Sequence, residues 1–268
     1  MLPVRRRAGA RLESPVVAGA FRTATFLAGP ALLQLVVPSS CASCGAPRRG
    51  LGGGGLCRAC WTALPLLDLD AACSACALPD AAPLCRACTA SPPPVMRTVA
   101  VARYAGVARR LVHAMKFRGH DILVAPAGAR MAACARRLGS GLDAVVPVPS
   151  TTRRNRDRGY DPGRLLAEEV SRRLRLPVRR LLSRVRDAAP QSSVPAAERR
   201  RNVKGAFRAD AAASGRRLLL VDDVMTTGAT AFEAADALRA AGAAGVDLLV
   251  LARTPETGPD PSERPEYT

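Results

Sequence analysis

Apolar residues along this chain follow two alternating patterns, one typical of buried strands and one typical of helices. Four short and almost wholly apolar runs occupy residues 99–104, 143–149, 218–221 and 246–251. Between them, apolar residues recur at helical spacing, or alanines accumulate, in residues 107–116, 127–138, 165–174 and 231–241. Strands that are apolar on both faces are typical of parallel sheets, so the sequence predicts an α/β fold in which helices flank a parallel sheet.

Composition divides the chain into four parts. Residues 1–30 form an N-terminal extension that is expected to be disordered, and residues 31–90 form a small cysteine-rich module. A stiff linker, Ser91 followed by three prolines, separates this module from residues 95–254, which carry the strand and helix pattern. Residues 255–268 are rich in proline and acidic residues and predict a disordered tail.

The chain carries a large positive charge. It has 268 residues, with 40 Lys and Arg against 22 Asp and Glu, which gives a formal net charge of +18. Such a charge favours polyanions, either nucleic acid or a substrate that carries a diphosphate. Only Lys116 and Lys204 are lysines, which indicates a coding bias towards arginine. The arginine content alone is therefore weak evidence for nucleic-acid binding.

Membrane insertion is not expected, because no apolar run reaches the roughly 20 residues that a spanning helix needs. The N-terminal arginines and the apolar residues 26–37 weakly resemble a signal peptide, but Pro30 and Gln34 interrupt the apolar part. We therefore expect a cytoplasmic protein.

Eight of the nine cysteines form four Cys-x-x-Cys pairs. Two such pairs can place four thiolates around one tetrahedral ion, so the eight cysteines predict two structural Zn²⁺ sites. The predicted ligands are Cys41, Cys44, Cys57, Cys60, Cys73, Cys76, Cys85 and Cys88. We expect the first two pairs to share one ion and the last two the other, with a cross-braced pairing as the alternative. A cytoplasmic location argues against disulfides, and the fourfold repetition argues against a redox pair.

One stretch combines two carboxylates with a turn suited to phosphate. Asp222 and Asp223 follow the apolar run 218–221, and Met225, Thr226, Thr227, Gly228, Ala229 and Thr230 lead into the alanine-rich helix. A tight loop between a strand and a helix N-terminus binds anions, because free N–H groups and the helix dipole point at it. Carboxylates suit a ribose diol or hydrated Mg²⁺. The stretch therefore predicts a site for a phosphorylated sugar.

Basic residues in two other segments are candidates for binding a diphosphate. The loop after the run 143–149 carries Arg153, Arg154, Arg156 and Arg158 at the carboxyl end of a predicted strand. Residues 188–195 have no core-forming pattern and predict a mobile loop that closes over a substrate and excludes water. Arg200 and Lys204 follow this loop and are further candidates.

The stretch 221–230 resembles the phosphoribosyl-diphosphate (PRPP) motif of type I phosphoribosyltransferases. This resemblance implies that Asp222, Asp223 and residues 225–230 bind PRPP, with the two aspartates on the ribose hydroxyls and Thr226 through Thr230 on the 5′-phosphate, and that Mg²⁺ assists. Over residues 34–253 the chain resembles the ComF-type branch, through the cysteine pairs, Arg158-Gly159-Tyr160, Gln191 and residues 200–207. Where members usually show Asn-Gln after the aromatic residue, this chain has Asp161 and Pro162, so contacts of that pair have no counterpart.

The resemblance implies a role in DNA uptake during competence. Some members bind single-stranded DNA and work beside a helicase, so both are expected partners, together with PRPP. Two functions remain open: a phosphoribosyltransferase that releases diphosphate from PRPP, or a non-catalytic module that senses PRPP or binds single-stranded DNA. Thr226 stands where purine-salvage enzymes carry an Asp, which makes a purine base a less favoured acceptor.

Overall fold

In the computed structural model, a four-stranded parallel sheet in the order β1-β6-β5-β2 occupies the centre of the protein. The structure describes residues 40–47, 55–117, 121–150, 160–186 and 203–255. The strands are β1 (Thr98–Arg103), β2 (Ala144–Pro147), β3 (Leu182–Arg184), β4 (Phe207–Ala209), β5 (Arg217–Met225) and β6 (Gly245–Arg253). The α-helices are α1 (Arg58–Thr62), α2 (Arg86–Ala90), α3 (Gly106–Phe117), α4 (Val124–Ala135), α5 (Pro162–Leu174) and α6 (Ala229–Ala240). Short 3-10 turns occupy Asp121–Leu123, Arg136–Leu138 and Ala211–Ala213. The predicted α/β fold is confirmed.

Strand β5 is longer than its apolar run predicts. It pairs with β6 over its whole length, from Arg217 opposite Gly245 to Met225 opposite Arg253. The two aspartates therefore lie inside the strand, whereas the sequence placed them after its end. The ladder with β2 stops at Val221, so the last residues of β5 extend beyond that neighbour. This open edge is where the acidic side chains lie.

Apolar side chains of the strands alternate between two cores, one on each face of the sheet. Leu219 and Leu249 pack with helices α3, α4 and α5 on one face. Leu218 and Leu220 pack with α6 on the other face. All four are fully buried, and each contributes about 1.5–3 kcal/mol by leaving water. Packing on both faces therefore holds the strands in place, including their carboxyl ends.

The described cysteine-rich residues, 40–47 and 55–90, pack along the edge strand β1 and contribute to both cores. Between the two cysteine groups, the N–H of Leu67 donates to the carbonyl of Val101 at 3.0 Å. The N–H of Arg103 donates to the carbonyl of Pro65 at 2.9 Å. Members of the first cysteine group lie in the core with α3 and α4, and the second group lies in the core with α6. Each face of the sheet thus receives one cysteine group.

A two-stranded antiparallel hairpin, β3 with β4, lies against α6. Near its base, the side chain of Arg186 donates to the carbonyl of Lys204, and the N–H of Gly205 donates to Glu233 on α6. The predictions made for residues 1–30, for the loop 188–195 and for the tail beyond Pro255 lie outside the described residues. No helix in the described ranges has the length and apolarity to cross a bilayer.

Candidate functional site

The two carboxylates near the end of β5 lie in different environments. Asp223 is 8% exposed, and its Oδ1 lies 2.7 Å from Nζ of Lys116, in the last turn of α3. Asp222 is less buried as a whole residue, and its Oδ1 accepts the N–H of Asp223 at 2.8 Å. One acid is therefore neutralised by a lysine, whereas no ion pair involves the other within the described residues.

The pKa of Asp222 is raised to about 7. Burial of the carboxyl group is the main cause and the negative charge of Asp223 the second, while the ammonium of Lys116 opposes both. A carboxyl group accepts hydrogen bonds from hydroxyls best when it is ionised. A sugar bound here would therefore be held more strongly as the pH rises through neutrality.

The loop after β5 presents main-chain N–H groups beside a helix N-terminus. Within the described part of the chain, no group accepts a hydrogen bond from the N–H of Thr226, Thr227 or Gly228. Helix α6 begins at Ala229, so the positive end of its dipole faces the same loop. Thr226 is exposed, and Thr227 and Thr230 are partly exposed. The loop therefore has the free donors and the dipole of an anion site.

Gly228 is required in this loop for two reasons. Its φ is +81°, in the left-handed region that glycine adopts readily. A Cβ at this position would also lie 2.5 Å from Cε2 of Phe232 and 2.6 Å from Cε of Met225. Met225 is 2% exposed and its side chain belongs to the core under the loop. In the structure this methionine side chain is a packing group.

Arg253, the last residue of β6, lies beside the loop and is 7% exposed. One terminal nitrogen donates to the carbonyls of Met225 at 3.4 Å, of Thr226, and of Thr254 at 2.6 Å. Its Nε donates to the carbonyl of Cys76 at 2.9 Å. A buried guanidinium thus joins the loop to the second cysteine group.

Asp161 and Pro162, which depart from the family pattern, begin helix α5. Asp161 is the N-cap, accepting the N–H of Arg164 at 3.2 Å, and Pro162 occupies the start of the helix. Ser150 donates to the other oxygen of Asp161 at 2.8 Å. A Cβ on Gly163 would lie 3.4 Å from Oδ1 of Asp161 and 4.0 Å from Oδ1 of Asp222. The helix start therefore brings a third carboxylate close to the acid pair.

Sequence reasoning missed three residues that hold the site together. They are Lys116, Arg253 and Tyr160. Tyr160 was recognised from the sequence only as part of a family motif, and its hydroxyl donates to the carbonyl of Met115 in α3. The helical spacing that ends at Lys116 is visible in the sequence. The sequence does not show the partner of Lys116, because the tertiary fold determines which strand this helix end approaches.

The residues predicted to hold a diphosphate fall mostly outside the described ranges. This applies to Arg153, Arg154, Arg156, Arg158 and Arg200. Lys204 is exposed, and its carbonyl accepts from Arg186 at the base of the β3–β4 hairpin. The structure does not bring Lys204 into contact with the acid pair.

The eight paired cysteines form two groups of four in the order predicted, the first two pairs together and the last two together. Within each group all Sγ atoms lie within 4.8 Å of one another. The Sγ atoms of Cys44 and Cys57 are 3.7 Å apart, and those of Cys76 and Cys85 are also 3.7 Å apart. Tetrahedral zinc with Zn–S bonds of about 2.3 Å requires sulfur separations of about 3.8 Å. Both groups therefore fit zinc.

Main-chain donors support both cysteine groups. The N–H of Cys57 donates to Sγ of Cys41 at 3.2 Å, and the N–H of Cys85 donates to Sγ of Cys73 at 3.3 Å. Burial would raise the pKa of Cys41, but such backbone donors outweigh it and lower the pKa to about 6. Burial raises the pKa of Cys60 to about 12. A metal must therefore displace protons from some of these thiols, which makes its binding pH-dependent.

Models of known protein families match two parts of the chain. Residues 161–266 match the phosphoribosyl transferase domain, and residues 32–90 match the double zinc ribbon domain. The fold and the two sites thus define a protein that joins a double zinc ribbon, with two structural zinc sites, to a phosphoribosyltransferase-type domain.

Relatives narrow this class further. "DNA utilization protein YhgH" of Escherichia coli O157:H7 is 36% identical over 231 residues, which is 82% of this chain and 100% of the relative. "Competence protein F" of Haemophilus influenzae is 36% identical over 115 residues, 41% of this chain and 50% of the relative. The chain belongs to the ComF-type phosphoribosyltransferase family. A purine phosphoribosyltransferase from Pyrococcus horikoshii aligns with 63% of this chain and 84% of its own at 20% identity, with a TM-score of 0.33, too low to add to this conclusion.

Proposed function

We propose that this protein binds PRPP at the carboxyl end of β5 and transfers the phosphoribosyl group with release of diphosphate. The observation that carries the proposal is the order of groups along the chain: two carboxylates, then a loop whose N–H groups find no acceptor among the described residues, then the N-terminus of α6. A ribose phosphate has diol and phosphate groups in a matching arrangement. The match of residues 161–266 to the phosphoribosyl transferase domain supports the same function.

Each group has a distinct role in the proposed reaction. Asp222 accepts the ribose hydroxyls, Asp223 is kept in place by Lys116, and residues 226–230 hold the 5′-phosphate. Positive charge develops at C1′ as the bond to the diphosphate breaks, and a nucleophile attacks from the opposite face. Arginines of the segment 153–158, with Arg200 and Lys204, neutralise the departing diphosphate. The protein acts through position and electrostatics, without a covalent intermediate.

Magnesium is part of the proposal. The carboxylates of Asp161, Asp222 and Asp223 are hard oxygen ligands, which suit Mg²⁺ and its bound waters. Asp223 already faces Lys116, and the two oxygens of Asp161 accept from Arg164 and Ser150, so Asp222 is the best placed of the three to hold the ion. When bound, the ion would supply positive charge for the leaving diphosphate.

A second candidate function is a PRPP-sensing or single-stranded-DNA-binding module of a competence complex, with a helicase as its partner. The names of the relatives, which refer to DNA utilization and competence, and the net charge of +18 favour it. None of the nine cysteines forms a disulfide, which is compatible with the cytoplasmic location that both candidates require.

A diphosphate-release assay separates the two candidates. Labelled PRPP and Mg²⁺ are incubated with the protein in water, with ammonia or with free nucleobases, and diphosphate is measured. Turnover that is lost in the double variant Asp222→Ala, Asp223→Ala supports the transferase. PRPP that raises the melting temperature of the wild type but releases no diphosphate supports the sensing module. If PRPP leaves the melting temperature unchanged and no diphosphate appears, the proposed PRPP site is wrong.

A further inference from the structure

We propose that Arg253 is a positioning residue that couples the second cysteine group to the phosphate loop. The second group is Cys73, Cys76, Cys85 and Cys88, and the phosphate loop is residues 225–230. Zinc in the second group would then set how well the loop binds phosphate, while zinc in the first group would not. This inference rests on the proposed PRPP function only for its ligand, since the coupling itself is a property of the free protein.

The contacts of Arg253 determine which way the loop's donors point. In a trans peptide, the C=O of one residue and the N–H of the next point in opposite directions. Arg253 binds the carbonyls of Met225 and Thr226. The N–H groups of Thr226 and Thr227 therefore point away from the guanidinium. Within the described residues these N–H groups donate to nothing else, so Arg253 aims two free donors at the place where a phosphate would lie.

The other side of the guanidinium is held by the second cysteine group. Nε of Arg253 donates to the carbonyl of Cys76, which is itself a predicted zinc ligand and ends the turn that begins at the ligand Cys73. The same turn is tied to β1, because Oγ1 of Thr98 donates to the carbonyl of Ala75 at 2.7 Å. Loss of the metal would release the turn, and Arg253 would lose the acceptor that fixes its orientation. The loop carbonyls would then lose their fixed donor.

The first cysteine group has no such connection within the described residues. Its neighbourhood contacts the helices on the other face of the sheet: Arg110 in α3 donates to Ser43 at 2.8 Å, and the guanidinium of Arg130 in α4 lies 5.2 Å from the ring centre of Trp61. Emptying this group would disturb α3 and α4, and would leave the contacts of Arg253 in place.

Arg103 provides a matched control for Arg253. It is the last residue of β1 and lies directly opposite Arg253 in the parallel ladder between β1 and β6. It also reaches the second cysteine segment, through a 2.8 Å ion pair with Asp80. Its side chain is 37% exposed, and its side-chain hydrogen bonds in the described residues go to Asp80, not to the loop.

The experiment compares Arg253→Met with Arg103→Met, and Cys88→Ser with Cys60→Ser. Cys88 and Cys60 are each the fourth ligand of their group and are similarly buried, at 6% and 7% exposed. Amide hydrogen exchange is measured without ligand in peptides covering residues 219–226 and 248–255, the paired strand ends beside Arg253, which include the Thr254 N–H that donates to the carbonyl of Met225. Zinc content and the Kd of PRPP are measured as well. Arg253→Met should retain two zinc ions, exchange about fivefold faster or more, and bind PRPP about tenfold more weakly or worse. Cys88→Ser should behave in the same way in exchange and affinity. Arg103→Met should stay within about twofold of the wild type in both, and Cys60→Ser should stay within about twofold in exchange.

Amide hydrogen exchange measured without ligand tests the Arg253 coupling independently of the proposed PRPP function. If wild-type protein fails to bind PRPP, the proposed function is wrong, and exchange in Arg253→Met still decides whether the coupling exists. Equal exchange in Arg253→Met and Arg103→Met would overturn the inference. So would equal effects of Cys88→Ser and Cys60→Ser on the loop. If Cys88→Ser unfolds the whole chain, the comparison of the two arginine variants decides alone.

Discussion

Nζ of Lys116 lies 2.7 Å from Oδ1 of Asp223, and this ion pair ties the end of helix α3 to the strand that carries the acid pair. The two side chains are 23% and 12% exposed, so the pair is largely shielded from water. Removing one member of such a pair leaves a buried charge without its partner, which is usually more costly than the pair itself is favourable. Loss of either side chain should therefore destabilise the protein as well as alter the candidate site.

Replacing Lys116 with Met should lower the free energy of unfolding by about 1–3 kcal/mol, less than for a fully buried pair because these side chains retain some solvent. The pKa of Asp222 should rise further, since the Lys116 ammonium opposes its upward shift. Urea denaturation measures the stability. Lys204→Met, at an exposed position, is the control and should change stability by less than about 0.5 kcal/mol. Equal stability of the two variants would contradict a buried ion pair.

The affinity for PRPP should rise as the pH passes through neutrality. Asp222 has a pKa of about 7 in the folded protein, above the ordinary value of 3.8, so its ionised, hydroxyl-binding form predominates only above that pH. The same pKa shift makes the free energy of unfolding fall as the pH rises. Between the ordinary pKa of 3.8 and the folded pKa of about 7, the folded state retains the proton that the unfolded state has lost, so raising the pH across this window favours unfolding. Calorimetry from about pH 6 to pH 8 measures the Kd.

Asp222→Asn separates this effect from the ionisation of PRPP itself. The phosphates of the ligand titrate equally with both proteins, so only the ratio of the two Kd values reports Asp222. The variant should bind about tenfold more weakly at pH 8, and the ratio should shrink towards pH 6. A ratio that does not change with pH would show that Asp222 does not titrate in this range.

Gly228→Ala should impair PRPP binding more than it impairs folding. A Cβ there meets Phe232 and Met225 at 2.5–2.6 Å, so the loop must shift. Gly215 is the matched control: its φ is +71°, and nothing lies within 4 Å of its added Cβ. Both alanine variants should lose about 1–2 kcal/mol of stability from the positive φ. Only Gly228→Ala should raise the Kd of PRPP, by about tenfold, and equal Kd values for both variants would argue against a close approach of ligand to this loop.

Two zinc ions per chain should leave at different rates when a chelator is added. In the first group Cys44 is exposed and Cys57 is partly exposed, whereas all four cysteines of the second group are buried. Access of the chelator should therefore favour the first group. Release followed with a colorimetric chelator should show a fast and a slow phase of equal amplitude. Cys60→Ser should remove the fast phase and Cys88→Ser the slow one, whereas a single phase would contradict unequal protection.

Sequence patterns identified the features of this protein that depend only on residues close together in the chain. Apolar runs indicated the four strands of the parallel sheet, and the spacing of the cysteines gave both zinc groups in their observed order. The stretch from Asp222 to Thr230 was recognisable because a strand, a small-residue loop and a helix start follow one another directly. The end of β5 was misplaced, because pairing with β6 over its full length carries the strand through two polar residues.

Long-range partners could not be read in the same way. Lys116 is 107 residues from Asp223, and Arg253 is 177 residues from Cys76. Nothing in the neighbouring sequence of either residue separates it from the other basic residues of an arginine-rich chain. Their roles depend on which helix and strand ends meet at one edge of the sheet, and this is decided by packing of the whole domain.

The cysteine segment contributes to the cores on both faces of the sheet and pairs with β1 between them. It therefore encloses the β1 edge of the sheet. A chain cut within the prolines 92–94 would expose an unsatisfied strand edge and two apolar strips at once. Such a fragment would be prone to edge-to-edge association. We therefore expect the metal-binding segment and the phosphoribosyltransferase-type domain to be stable only as one chain.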